Sequence, residues 1–370
     1  MEIIYSNKKT FNEIENLIEV SKSHPIELDL SNSKGAIFYG DNLKIMANLL
    51  EKYEKKIDLI YIDPPFNTNS SFFYTKERVS TISTEKNSAV AYDDNLDVET
   101  YLEFIRERLY LMRKLLSDEG TLYFHIDLKI GHYIKIILDE VFGVENYVND
   151  ITRIKSNPKN FSRKAFGNEK DVIYVYSKKK NRNIFNNVKL PLDVEDVERL
   201  FTKTDENGNK YTTVPCHAPG ETANGPTGRE WRGKLPPKGR HWRCSPDELD
   251  KLNDAGKIEW SKTGNPRIKK YAKDHEGKKI QDIWKYKDPQ YPIYPTEKNA
   301  EMLDMIVRQS SNENSIIMDC FCGSGSFLKA GLLNGRKVIG IDKSPIAYKV
   351  CIEQPEFSEL QKINNEEDIV

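Results

Sequence analysis

Short apolar runs alternate with longer amphipathic stretches at both ends of this chain, and that alternation limits the fold more than any other feature of the sequence. Residues 57–62, IDLIYI, are stopped by Pro64 and Pro65, as expected of a buried strand that ends in a rigid turn. Leu102, Ile105, Leu109, Met112 and Leu116 recur at helical spacing from Val98 onward, until Gly120 ends the pattern. Residues 121–126 return as a strand, 130–142 as an amphipathic helix and 171–176 as a further strand. Later, Thr296 stands where it would cap a helix with the face Met302, Leu303, Ile306 and Val307, followed by a strand over 315–318, a helix over 326–333 and a strand over 337–341. Parallel strands need a crossover, usually a helix, so this order predicts an α/β fold with a doubly wound, mostly parallel sheet.

The middle of the chain reads differently. The 370 residues carry 56 Lys or Arg against 57 Asp or Glu, a balance that conceals segregation. Residues 151–290 hold 31 basic against 19 acidic side chains, and the remainder holds 25 against 38. A basic insert in an acidic scaffold is the electrostatic footprint of a surface that meets phosphates; a solvated lysine-rich face is the competing reading. The segments GPTGREWRGKLPPKGRHWRC and KTGNPRIKKYAKDHEGKK interleave basic residues with aromatics, Gly and Pro, a texture suited to presenting Arg, Lys and Trp to nucleic acid. The expected division is therefore 1–150, an insert over 151–290, and 291–370. No run approaches the length of a membrane span, and the start MEIIYSNKKT lacks the apolar block of a secretory signal, so a cytoplasmic location with no membrane partner is expected. The five cysteines form no CxxC pair and read as free thiols; Cys216, His217, His241 and Cys244 match no common zinc spacing, so no metal is expected.

Two strand ends carry candidate chemistry. Asp319-Cys320-Phe321-Cys322-Gly323-Ser324-Gly325 lies between an expected strand and helix, where open α/β sheets bind ligands. Gly323 and Gly325 let the backbone approach a cofactor, and Asp342, at the end of the next strand, offers a carboxylate to two ribose hydroxyls. The loop lacks the third glycine of GxGxxG and the GKS or GKT of a P-loop, so it fits NAD and ATP poorly; a tight strand-to-helix turn is the alternative. The other strand end is Asp63-Pro64-Pro65-Phe66. Pro65 holds Pro64 extended, so the Asp63 carboxylate and the Pro64 carbonyl can stand side by side as two acceptors for a planar NH2 group, with Phe66 as a face on which a base can stack.

These residues carry a resemblance. Asp63-Pro64-Pro65-Phe66 resembles the catalytic motif of DNA amino-methyltransferases, and Asp319 to Gly325 resembles their S-adenosyl-L-methionine loop, usually DPFxGSG. The order, catalytic motif first and cofactor loop last, is similar to the permuted β class that includes modification subunits of type III restriction systems. Tyr294-Pro295-Thr296-Glu297-Lys298 resembles that class's YPTQK element and Gly40-Asp41-Asn42-Leu43 its GD element, while Cys320 and Glu297 replace its usual Pro and Gln. The resemblance implies a Rossmann-like methyltransferase sheet that flips a base out of double-stranded DNA and methylates its exocyclic amine. Adenine N6 is the favoured target, cytosine N4 the runner-up, and a nicotinamide dehydrogenase or a non-enzymatic DNA binder are the readings from other classes. It further implies Asp63, Pro64, Pro65 and Phe66 as catalytic. Phe321, Cys322, Gly323 and Gly325 would cradle the cofactor, Asp319 and Lys298 face its methionine part, Asp342 its ribose and Asp41 its adenine. Glu297 adds a carboxylate with which Lys298 can pair. His125 and Asp127 either line the target pocket or merely end a strand. Residues 69–96 are expected as a mobile loop. In the insert, Arg229, Arg232, Arg240 and Arg243, which Trp231 and Trp242 could brace, would read bases, with phosphate clamps or packed structural arginines as the competing reading, and Lys269, Lys270, Lys278 and Lys279 would meet phosphates. A second copy of the chain and a restriction subunit are the further partners the resemblance allows.

Overall fold

The computed structural model describes all residues except 1, 23–25, 66–70, 75–78, 81–88, 94–96, 157–163, 165, 223, 291, 293–296 and 365–370. Among the described residues nine strands join in one sheet, in the spatial order Ile283–Trp284, Tyr147–Ile154, Lys170–Ser177, Leu116–Ile126, Ile57–Ile62, Ile316–Asp319, Lys337–Asp342, Gly35–Tyr39 and Gln361–Asn364. Every neighbouring pair is parallel except those made by Lys170–Ser177, which runs antiparallel to both neighbours. The central strands are apolar on both faces, because helices cover both; Ile57, Leu59, Ile60, Ile317 and Met318 are fully buried. Helices start where acidic or polar side chains accept the orphan backbone N–H groups of the first turn: Asp41 caps Asn42–Tyr53, Asp97 caps Val98–Leu115 and Asp127 caps Leu128–Phe142.

The strands Ile57–Ile62 and Ile316–Asp319 lie side by side, with Leu59 level with Ile317. From the first the sheet continues through Leu116–Ile126, and from the second through Lys337–Asp342 in the opposite direction. The order reverses between them, which opens the crevice at their carboxyl ends where such sheets take ligands. Asp63 follows one of these strands and Asp319 ends the other.

Three expectations about organisation change. The segment 151–290 is not one insert, because Tyr147–Ile154, Lys170–Ser177 and Ile283–Trp284 pair into the main sheet; the second compact unit is Lys189–Ile280. The charge follows the first unit more than the second: residues 151–188 hold 10 Lys or Arg against 2 Asp or Glu, whereas 189–280 hold 19 against 15. The helix Ala300–Ser310 is capped by Asn299, whose side chain accepts from the Met302 N–H at 3.1 Å; Thr296 lies outside the described residues. Within 69–96 the described backbone forms three short antiparallel strands, Ser71–Tyr74, Val79–Ser80 and Ala89–Asp93, where a loop was expected; the rest of that segment lies outside the described residues.

The second unit is built on a four-stranded sheet with the helix Pro246–Asp254 and a core of Cys216, Trp231, Trp242, Leu249, Ile258 and Ile268. Trp231 and Trp242 are therefore core residues, each 2% exposed, and the Arg232 guanidinium lies over the Trp231 ring, 5.6 Å from its centroid. A small unit gains most of its buried area from such large side chains. Replacing Trp242 with alanine should cost about 3–5 kcal/mol, read as a lowered denaturant midpoint for this unit; a midpoint unchanged from the parent chain would remove it from the core.

Candidate active site at the carboxyl ends of two central strands

The parallel register of Ile57–Ile62 and Leu116–Ile126 sets Ile62 level with Phe124, and one residue further brings Asp63 beside His125. The Asp63 carboxylate is largely buried, and its two oxygens differ. Oδ2 receives an ion pair from the Lys298 ammonium, which is also buried. Oδ1 is shielded from solvent without a hydrogen-bond partner among the described residues. The nearest polar atom recorded for it, His125 Nδ1, stands 3.8 Å away, beyond a hydrogen bond. Lys298 thus meets Asp63 rather than pairing with Glu297 as the sequence suggested; the Glu297 carboxylate instead receives the Ser326 hydroxyl at 3.5 Å. The Tyr101 hydroxyl donates to the Pro65 carbonyl at 2.6 Å and pins the diproline turn. Phe66 lies outside the described residues.

Behind Asp63 a line of buried polar groups crosses three strands. The Tyr61 hydroxyl is 2.9 Å from His125 Nδ1, and His125 Nε2 is 3.3 Å from Asp171 Oδ2. The Lys155 ammonium binds Asp171 Oδ1 at 2.5 Å, and the Arg153 guanidinium approaches Oδ2 at 3.6 Å. Burial opposes the charge on Asp171, but the hydrogen bond from His125 and the charge of Lys155 outweigh it and hold the carboxyl below the ordinary carboxylate range. Burial pushes the His125 imidazole below its ordinary value against the pull of Asp171 and Asp63, so it is neutral near pH 7. The Tyr61 hydroxyl is pushed up by burial first and by the nearby Asp63 charge second, so it keeps its proton. Asp127 meets this line only at its far end: it caps its helix and lies 3.7 Å from Lys155. Tyr61, Asp171, Arg153 and Lys155 were missed in the sequence, although a charged residue at the head of the apolar run DVIYVY was a signal.

The glycine loop closes the other side of the crevice. Gly323 and Gly325 have positive φ, 52° and 81°, and the Phe321 N–H donates to Asp319 Oδ1 at 2.9 Å. Asp342 Oδ2 accepts the Gly323 N–H at 2.8 Å and Oδ1 accepts the Ser344 N–H at 2.8 Å, so this carboxylate shapes the loop. Each oxygen keeps a lone pair for a further donor such as a hydroxyl. Burial raises the Asp342 and Asp319 carboxyls above their ordinary values. Cys322 is buried and Phe321 packs against Phe104, ring centroids 6.2 Å apart. Asp41 caps its helix through Oδ1, while Oδ2 faces the buried Arg108 guanidinium at 3.4 Å; Arg108 also binds the Asn42 side chain, whose amide donates to the Cys320 carbonyl at 2.8 Å. The GD element is thereby tied to the glycine loop, a link the sequence did not reveal. Hydroxyl acceptors at a strand end and left-handed glycines beside a helix start suit a ribose-bearing cofactor. Replacing Asp342 with alanine should weaken cofactor affinity by about 1–3 kcal/mol in calorimetry, and an unchanged affinity would take it out of the site.

In the second unit the arginines nominated for base reading are all exposed, and three of them have partners. Arg232 is held by Asp250 at 2.8 Å and by Asp254 at 3.6 Å, Arg243 donates to the Pro215 carbonyl at 3.0 Å, and Arg240 contacts His217 at 3.3 Å. Arg229 lends its carbonyl to the Trp242 indole N–H. Lys269 lies over the Tyr211 ring, Lys270 is exposed, and Lys278 is paired with Asp193 and Asp196. Among the described residues no group of three or more His, Cys, Asp or Glu is placed to hold a metal ion, and no helix is long and apolar enough to cross a membrane.

Comparison with known proteins shows the family. The family model described as "DNA methylase", for N6 and N4 methyltransferases, matches residues 57–353. The chain is 42% identical over 325 residues to the type II methyltransferase M.EcaI of Enterobacter cloacae, covering 86% of this chain and 69% of that one. It is 31% identical over 212 residues to the Mod subunit of the type III restriction-modification enzyme EcoP15I of Escherichia coli, covering 53% of this chain and 32% of that subunit. The crystal structure of the M1.HpyAVI–SAM complex aligns with a TM-score of 0.44 at 16% identity, over 85% of this chain and 97% of that one. The chain belongs to the DNA methylase family of N6 and N4 amino-methyltransferases, whose methyl donor is S-adenosyl-L-methionine.

Proposed function

We propose that the chain methylates the exocyclic N6 amine of an adenine flipped out of double-stranded DNA, as the modification activity of a restriction-modification system. The observation that carries this reading is the buried Asp63 Oδ1, an acceptor without a donor among the described residues, at the carboxyl end of a strand next to the glycine loop. An amine brings the donor that Oδ1 lacks.

The amine nitrogen is a poor nucleophile because its lone pair is delocalised into the ring. Asp63 Oδ1 takes one N–H and the Pro64 carbonyl takes the other, which favours a pyramidal nitrogen and aims its lone pair out of the ring plane. S-adenosylmethionine, when bound, supplies the electrophilic methyl group. As positive charge develops on nitrogen, the Asp63 carboxylate stabilises it and accepts a proton late, since an ordinary aspartate is too weak a base to deprotonate a neutral amine first. Phe66 would stack on the flipped base, and Asp342, Asp41 and the Phe321–Gly325 backbone would hold the cofactor. Lys298, paired with Asp63, offsets the carboxylate charge until the cofactor carboxylate competes for its ammonium. The acid at the first motif position supports adenine over cytosine, because the resembling cytosine enzymes more often carry serine there. Lys269, Lys270 and the exposed arginines of the second unit would meet duplex phosphates and base edges, and a restriction subunit is the protein partner the Mod relatives suggest.

Mass analysis of nucleosides from duplex DNA treated with the chain and S-adenosylmethionine tests the reading. N6-methyldeoxyadenosine is expected; N4-methyldeoxycytidine would move the target to cytosine, and unmodified DNA across varied sequences would contradict the activity.

A further inference from the structure

We propose that Asp171 fixes His125 as the Nε2–H tautomer, and that this polarity, passed through His125 to Tyr61, keeps Asp63 Oδ1 open as the acceptor for the target amine. The inference rests on the methyltransfer reading above and makes His125, Asp171 and Tyr61 positioning residues for it.

Hydrogen-bond bookkeeping leads there. An ionised carboxylate only accepts, and Asp171 is ionised, with the Lys155 ammonium on one oxygen and Arg153 near the other. The ring nitrogen facing Asp171 Oδ2 at 3.3 Å, Nε2, must therefore carry the hydrogen. A neutral imidazole has a single N–H, so Nδ1 presents a lone pair. Tyr61 keeps its proton and donates it to that lone pair across 2.9 Å. Neither group then has a hydrogen for Asp63, whose Oδ1 faces Nδ1 at 3.8 Å and has no hydrogen-bond partner among the described residues. The opposite tautomer would point an Nδ1–H toward Oδ1 and set a resident donor in competition with the amine. The groups around His125 are Asp63 and Tyr61 from the Ile57–Ile62 strand and its turn, Asp171 from Lys170–Ser177, Lys298 ahead of Ala300–Ser310, and Arg153 and Lys155 from and just after Tyr147–Ile154. The device selects for a substrate that donates: an exocyclic NH2 completes the Asp63 shell, whereas a carbonyl at the same place meets a carboxylate.

The test is nitrogen-15 NMR of the full chain labelled at its six histidines, with His125→Gln used to identify the His125 signals. The wild-type spectrum should show His125 neutral and protonated on Nε2 near pH 7. In Asp171→Asn the remaining oxygen stays with Lys155 and the new NH2 faces Nε2, so the tautomer should flip to Nδ1–H. Single-turnover methyl transfer should then fall roughly 100-fold or more, as wrong-tautomer variants of other His–Asp pairs do, while cofactor affinity changes by less than about threefold. A wild-type His125 that is Nδ1–H or cationic overturns the proposal. So does a flipped tautomer with full turnover, or a loss of turnover with the tautomer unchanged, which would make Asp171 a packing residue. If Asp171→Asn does not fold, the wild-type spectrum alone decides. Because that spectrum needs no DNA, it fails or holds independently of which base is methylated.

Discussion

Replacing Asp63 with asparagine should lower the single-turnover rate of methyl transfer roughly 100- to 1000-fold while cofactor affinity stays within about threefold. Asparagine keeps the size of the side chain but removes the charge that stabilises the developing ammonium. It also places either an amide NH2 where the target N–H must be accepted or a neutral oxygen opposite the buried Lys298 ammonium. Rapid-quench measurement at saturating cofactor separates the two effects, since the rate reports on the amine and the affinity on the glycine loop. Undiminished turnover would mean that the base is activated elsewhere.

The second large effect is expected at Gly325. Its φ of 81° is a left-handed conformation, and a Cβ there would lie 2.7 Å from Cys351 Sγ and 2.9 Å from two ring atoms of Phe357. These neighbours are fully buried, so they have little room to withdraw. Gly325→Val should therefore cost about 2–4 kcal/mol of stability, combining left-handed strain with overpacking. Because Gly325 is also the N-cap of Ser326–Leu333, the loop that ends at this helix should lose its shape and cofactor affinity should fall at least about tenfold. Denaturant unfolding and calorimetry read the two quantities; a variant with parental values in both would show that the loop does not need this conformation.

Much of the fold was legible because apolar periodicity is local. The strand IDLIYI and the helix Ser326–Leu333 lie where their patterns place them, and the Asp-Pro-Pro turn announced a rigid strand end. The extent of the main sheet was less legible. Tyr147–Ile154 carries Arg153 and is only partly buried, and with Lys155 just beyond it its charge resembled the insert more than a core strand. Yet Arg153 is fully buried: the Tyr286 carbonyl and Asp288 accept from its guanidinium, and Asp171, opposite it in the ladder, supplies a compensating charge 3.6 Å from Nη1. The tryptophans misled in the opposite sense: in a sequence, an aromatic beside arginine reads equally as a nucleic-acid surface or as the core of a small unit, and burial decides for the core. Within the site, Asp63 and Asp342 stood out because each follows or ends an apolar run. Tyr61, His125 and Asp171 did not, since the bonds joining them span 64 and 46 residues of sequence and exist only through strand register. Lys298 was visible as part of a motif, but the carboxylate it meets was not.

Long-read sequencing of DNA from cells that express the chain, set against cells that express Asp63→Asn, tests the account at its centre. N6-methyladenine is expected at one defined sequence in the first culture and is expected to be absent from the second. N4-methylcytosine in place of N6-methyladenine, or the same modified sites in both cultures, would contradict it.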